Sequence, residues 1–109
     1  MIVLDTNALS AVMHGVPGAI ARLAAERPDQ VVLVAPVAAE IHFGLERLPR
    51  GSRRRRLLET EYRRLRAFMR FEEWSEDAAV EFGKQKARLA KLGTPIEDFD
   101  IAIAASALA

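Results

Sequence analysis

The segment Val31-Val32-Leu33-Val34-Ala35 constrains the fold of this chain more than any other. It is apolar throughout, mostly β-branched, shows no polar alternation and is bounded by turn-forming residues. A run of that kind is a strand buried on both faces, which is the habit of parallel sheets covered by helices. Residues 2–5, Ile-Val-Leu-Asp, repeat the pattern in shorter form and end on a carboxylate. Asp5 therefore falls at the carboxyl end of a strand, where open α/β sheets place their ligands. A third, weaker strand is predicted over residues 69–73. The expected fold class is α/β, a three-layer α/β/α sandwich with a short parallel sheet.

The remaining segments have helical periodicity. Thr6 and Asn7 can cap a helix that Gly15 and Pro17 stop, and a second helix over 18–26 turns Ile20, Leu23 and Ala24 inward. Pro36 suits the first turn of a helix reaching about Leu48, with Val37, Ile41, Leu45 and Leu48 as its buried stripe and Glu40 at the stripe's border. A longer helix over 53–67 presents Leu57, Leu58, Tyr62 and Leu65. Ser75 caps a helix over 76–91, with Glu76 and Asp77 in its first turn and Lys86, Arg88 and Lys91 towards its end, as the helix dipole favours. Gly93 closes that helix. Thr94-Pro95-Ile96-Glu97 has capping-box spacing, so a last helix should start within 95–99 and run to Ala109. Because Ala109 falls inside an apolar helix, the chain is expected to be C-terminally short, lacking a final strand.

Half of the 109 residues are hydrophobic, the amount one compact domain over 1–109 needs. The absence of cysteine excludes a disulfide scaffold, a thiolate zinc site and a cysteine nucleophile. Uncharged runs fall far short of the ~20 residues of a membrane span, so no membrane association is expected. No basic region precedes an apolar one at the N-terminus, so no secretion signal is visible and a cytoplasmic location is expected. The net charge of +1 conceals a segregated distribution. Arginine occupies positions 47, 50, 53, 54, 55, 56, 63, 64, 66 and 70, while the acids concentrate at both ends and over 72–81. Separated patches imply two surfaces with different partners.

Three carboxylates have apolar sequence neighbours: Asp5 after Ile-Val-Leu, Glu40 between Val-Ala-Ala and Ile-His-Phe, and Asp100 between Phe99 and Ile101. A buried lone charge is costly, and several acids in one pocket need a cation among them. With no thiolate available, the economical cation is Mg²⁺ or Mn²⁺, which prefers oxygen ligands, polarises phosphates and lowers the pKa of water.

Met-Ile-Val-Leu-Asp-Thr-Asn at the start, Val-Ala-Ala-Glu-Ile-His-Phe-Gly in the middle and Gly-Thr-Pro-Ile-Glu-Asp-Phe-Asp-Ile-Ala-Ile-Ala-Ala near the end resemble a PIN domain. More narrowly, they resemble the VapC toxins of toxin–antitoxin pairs. The resemblance spans essentially the whole chain and implies a metal-dependent endoribonuclease acting on single-stranded or looped RNA, often tRNA or rRNA. It implies that Asp5, Glu40 and Asp100 are metal-binding catalytic acids and that Thr6 is an active-site hydroxyl. It also implies a VapB-like antitoxin partner and a homodimer. Asp98 is an additional candidate ligand, but residues 98 and 100 stand about 200° apart on a helix and cannot both point into one pocket. The family usually continues with another strand and a fourth acid, which this chain lacks.

Other readings compete at each position. Asp5 can be a helix N-cap, Glu40 a solvated helix residue, and Thr6 a capping residue. His14 lies in a Gly-Pro-bounded turn, and His42, two residues from Glu40, faces away from it. The arginine run can be a solvated helix face, a track for RNA phosphates through Arg53, Arg54 and Arg56, or a site for acidic partner residues. A phosphotransferase with Asp5 as nucleophile would need a second Asp where Asn7 stands. A catalytically impaired module that binds antitoxin or RNA without cleaving is the alternative from another class.

Overall fold

The computed structural model describes residues 1–94 and 96–109. Its elements run β1 (Ile2–Val3), α1 (Thr6–Met13), α2 (Pro17–Ala24), a 3₁₀ turn (Pro28–Gln30), β2 (Val31–Val34), α3 (Ala35–Glu46), α4 (Arg53–Phe68), β3 (Arg70–Glu72), α5 (Glu76–Lys91) and α6 (Asp98–Leu108). The three strands form one parallel sheet in the order β1-β2-β3. Ile2 pairs with Val31, and Leu33 with Phe71. All four residues of β2 are buried, so both faces of the central strand are covered, as its unbroken apolar run requires.

The core gathers around that strand. Leu9, Val12 and Met13 of α1, Val37, Ile41 and Leu45 of α3, and Tyr62 and Leu65 of α4 join Val31–Val34 in one buried cluster. Of the stripe read along α3, Val37, Ile41 and Leu45 are buried, while Leu48 lies past the end of the helix and is half-buried. In α4 the inward face is Leu58, Tyr62 and Leu65, while Leu57 is 57% exposed. Leu57 lies about 100° from its neighbour around the helix and so leaves the seam. Ile20, at 44% exposure, and Ala24 are likewise exposed rather than turned into the core as their spacing predicts, and of the three only Leu23 packs against it. The helix pair α5–α6 packs along its own length, and α6 leans on α3.

Element ends differ from expectation for local reasons. β1 is shorter than residues 2–5 because Asp5, not Thr6 or Asn7, is the N-cap of α1, so the backbone leaves the sheet early. Gly15 ends α1 with a φ of +77°, a conformation that a residue without Cβ adopts freely. Pro17 starts α2 rather than stopping α1, sitting at N1 where its missing N–H costs nothing. Ser52 and Ser75 cap α4 and α5 through their hydroxyls. The capping box predicted at Thr94 does not form. Glu97 is itself the N-cap of α6 and makes no side-chain cap bond, and the Thr94 hydroxyl donates to the Leu92 carbonyl instead. Pro95 lies outside the described residues. Among the described residues no helix is long and apolar enough to cross a membrane.

Tyr62, the sole tyrosine, is buried with its ring edge against His42 at a centroid distance of 4.9 Å. Burial pushes its phenol above its ordinary pKa, and the nearby Arg66 only partly opposes this. Above about pH 10 the unfolded chain therefore releases a proton that the folded chain still holds. Unfolding then gains favour as pH rises, so folding stability should fall through the alkaline range. Urea midpoints compared between about pH 9 and about pH 11 should drop for the parent chain and drop less for Tyr62→Phe. Equal slopes in the two proteins would contradict this account.

Candidate active site

The first two strands are parallel neighbours, so the helices that leave their carboxyl ends start side by side. Asp5 closes the first connection as the cap of α1. Its Oδ1 accepts a hydrogen bond from the Ala8 amide at 2.7 Å. Thr6 follows as the first residue of α1, and its Oγ1 donates to Oε1 of Glu40 in α3 at 2.6 Å. That bond spans 34 residues of sequence and ties the start of α1 to α3. It is short, as expected when a carboxylate accepts from a hydroxyl. Asp5 and Glu40 each keep a second oxygen without a hydrogen-bond partner among the described residues.

Asp98 and Asp100 occupy the first turn of α6, where the helix dipole favours negative charge. Their partners differ. Asp98 forms an ion pair with Lys86 of α5, at 3.1 Å from Oδ1 and 3.3 Å from Oδ2. This exposed pair links the start of α6 to α5. Asp100 is exposed and has no ion-pair partner among the described residues.

The apolar sequence neighbours of these acids do not amount to apolar surroundings. Asp5 and Asp100 are exposed and Glu40 is half-buried. Ile101 turns into the core at 4% exposure while Asp100 beside it turns out. A cation is therefore not required to compensate buried charge. Among the described residues, no three Asp, Glu or His side chains converge closely enough to hold an ion. The structure brings Thr6 and Glu40 into contact, with Asp5 next to Thr6 in sequence, and among the described residues no hydrogen bond joins Asp100 to them. In kind, the donors suit a hard dication: three carboxylates, each with at least one uncommitted oxygen among the described residues, and no thiolate. Exposed side chains reorient on the ps–ns scale, so closing such a set needs no change of fold.

The histidines stand apart. His14 Nδ1 lies 2.8 Å from the Ser10 carbonyl of its own helical turn, and His42 packs on Tyr62. The arginine run divides. Arg55 has a side chain only 11% exposed and ties Leu48, Glu46 and Glu59 together, which makes it structural. Arg56 donates to the Gly51 carbonyl, while Arg53 and Arg54 are exposed without an ion-pair partner among the described residues. These arginines follow the C-terminal end of α3, whereas Glu40 sits in its N-terminal half.

A short parallel sheet that sets acidic side chains on the helices leaving its carboxyl edge is an α/β domain of ligand- or substrate-processing type. The family model described as the PIN domain matches residues 2–109, and the chain belongs to that family. PIN domains are generally nucleases, and those nucleases generally use divalent metals. No curated protein sequence matches the chain. Among solved structures, FitAcB from Neisseria gonorrhoeae is 26% identical with a TM-score of 0.84, over 98% of this chain and 80% of that one. FitAB bound to an IR36 DNA fragment is 27% identical, with a TM-score of 0.83 over 98% of this chain and 78% of that one. VapBC2 from Rickettsia felis, bound to a DNA fragment from its promoter, shares the fold at 16% identity and a TM-score of 0.81, over 94% of this chain and 76% of that one.

Proposed function

We propose that this chain is a single PIN-like domain, over 1–109, working as a Mg²⁺- or Mn²⁺-dependent endoribonuclease. Its substrates are RNA phosphodiesters in tRNA or other structured RNA, and it is the toxin member of a VapBC-type pair in the cytoplasm. The observation that carries this reading is the Thr6–Glu40 hydrogen bond, which joins two of the candidate site residues across 34 residues of sequence, beside Asp5. Asp5, Glu40 and Asp100 would hold the cation, with Thr6 orienting the Glu40 carboxylate. When bound, the ion supplies positive charge against the charge developing on a phosphodiester and lowers the pKa of water. Arg53, Arg54 and Arg56 supply charge for phosphates away from the acids.

A VapB-like antitoxin is the proposed partner and homodimerisation the proposed assembly. Support for a partner comes from the relatives solved as FitAB and VapBC complexes and from an apolar groove between α2 and α4. Ile20 and Phe68 are exposed there, and exposed apolar surface of that kind marks an interaction site.

The test is RNA cleavage with Mg²⁺ and with a chelator. Cleavage that requires the metal supports the reading, and metal-independent cutting contradicts it. The second reading is a binding module impaired in cleavage, in which the acids stay apart as they stand in the described structure. Absence of cleavage at saturating Mg²⁺ with RNA binding retained would select that alternative.

Thr6 also has a measurable role. Thr6→Val removes the hydroxyl that fixes Glu40, and loss of such an orienting partner lowers metal affinity or activity roughly 10–100-fold. Thr6→Ser keeps the donor and should retain most activity. Equal losses in Val and Ser would mean that the hydrogen bond is not what matters.

A further inference from the structure

A pocket on the face shared by α3, α5 and α6 has no role in the account so far. It is an open cavity of about 350 Å³ between the start of α3, the segment leading into α5, α5 itself and the start of α6. Three aromatic side chains, Trp74, Phe82 and Phe99, line it together with Ala39 and Asp98. Trp74 and Phe82 meet edge to face at a centroid distance of 6.1 Å. Trp74 is 42% and Phe99 48% exposed, so both keep ring surface open to a ligand. The Lys86 ammonium lies 5.7 Å from the Phe82 ring centre while pairing with Asp98, and so places a cation beside the rings.

The position matters as much as the chemistry. Ala39 precedes Glu40, and Phe99 stands between Asp98 and Asp100. Glu40 and Asp100 each follow a lining residue on the same helix, so the pocket shares α3 and α6 with two of the acids assigned to phosphodiester cleavage. The volume is at the low end for small-ligand sites, which run ~300–1,000 Å³, and suits one planar group better than a helix of a protein partner. We infer that Trp74, Phe82 and Phe99 form a stacking pocket for an unpaired nucleobase of the RNA strand, with Lys86 beside the adjoining phosphate. The inference rests on the endoribonuclease reading and gives it a site for one base of the strand, which no residue named so far supplies. Apolar rings bind any base face, so the pocket confers preference for unpaired bases rather than for one base identity.

The sole tryptophan reports directly on this pocket. The probe is a 2′-O-methyl hexauridylate, which resists cleavage, titrated in a chelator so that no metal is involved. Its partner is the same backbone made abasic. Quenching of Trp74 fluorescence by the base-bearing strand and not by the abasic one is expected. Phe99→Ala, at an already exposed position, should weaken binding of a fluorescein-labelled strand about tenfold, the scale of one lost base stack. Equal binding of the two strands, or unchanged binding by Phe99→Ala, overturns the pocket. A change of oligomeric state in Phe99→Ala with unchanged oligonucleotide binding makes this face a contact between copies and overturns it too. Metal-dependent cleavage by the parent is measured separately, so failure of the pocket and failure of the nuclease reading are distinct results.

Discussion

Asp5→Asn is expected to lower metal-dependent RNA cleavage roughly 10²–10³-fold, since a held cation contributes several kcal/mol to the transition state. The substitution is informative because Asp5 has two separable duties. One carboxylate oxygen caps α1 through the Ala8 amide, and the other, which has no hydrogen-bond partner among the described residues, is the one the proposal gives to the cation. Asparagine caps a helix about as well as aspartate, so the fold keeps its first helix. What disappears is the negative charge, whose favourable interaction with the helix start is worth only ~0.3–1 kcal/mol. Asp5→Ala removes both duties and should add about 1 kcal/mol of lost stability to the same loss of activity. Cleavage assays beside urea unfolding separate the two effects. Full activity in Asp5→Asn would reduce Asp5 to a capping residue.

The second large effect is on stability. Leu33 is fully buried at the centre of β2, and Leu33→Ala should destabilise the chain by ~2–5 kcal/mol through lost burial and an unfilled cavity. That is a large part of the ~5–15 kcal/mol that holds a domain together. Leu57→Ala is the matched control. Its side chain is 57% exposed, and surface changes of this kind stay within ~0.5 kcal/mol. The urea midpoint should fall sharply for the first and hardly at all for the second, with the slope of the transition unchanged. Similar shifts for both would mean that β2 is not the centre of the core.

These two residues also mark what was legible in the amino-acid order. Leu33 is legible because an unbroken apolar strand leaves its environment no choice, and the α3 stripe through Val37, Ile41 and Leu45 is legible for the same reason. The family resemblance was legible in three segments, and the match over residues 2–109 agrees with it. The surroundings of the acids were misjudged. Apolar neighbours in sequence say little about burial in a helix, where successive residues point about 100° apart, so Asp100 faces water between Phe99 and a buried Ile101. In sequence Asp5 reads as either cap or ligand, whereas its two oxygens allow both. The Lys86–Asp98 pair and the aromatic pocket around Trp74 join residues distant in sequence. Phe82 and Lys86 stand four residues apart on one helix, which is a visible signal, but their meeting with Asp98 depends on how α5 and α6 pack.

The most direct test is Mn²⁺ binding followed by electron paramagnetic resonance on the parent chain, Asp5→Asn and Asp100→Asn, each checked for unchanged folding. One bound ion in the parent, lost or strongly weakened in both variants, is the predicted result. Undiminished binding in either variant, or none in the folded parent, would contradict a shared cation held by acids from α1, α3 and α6.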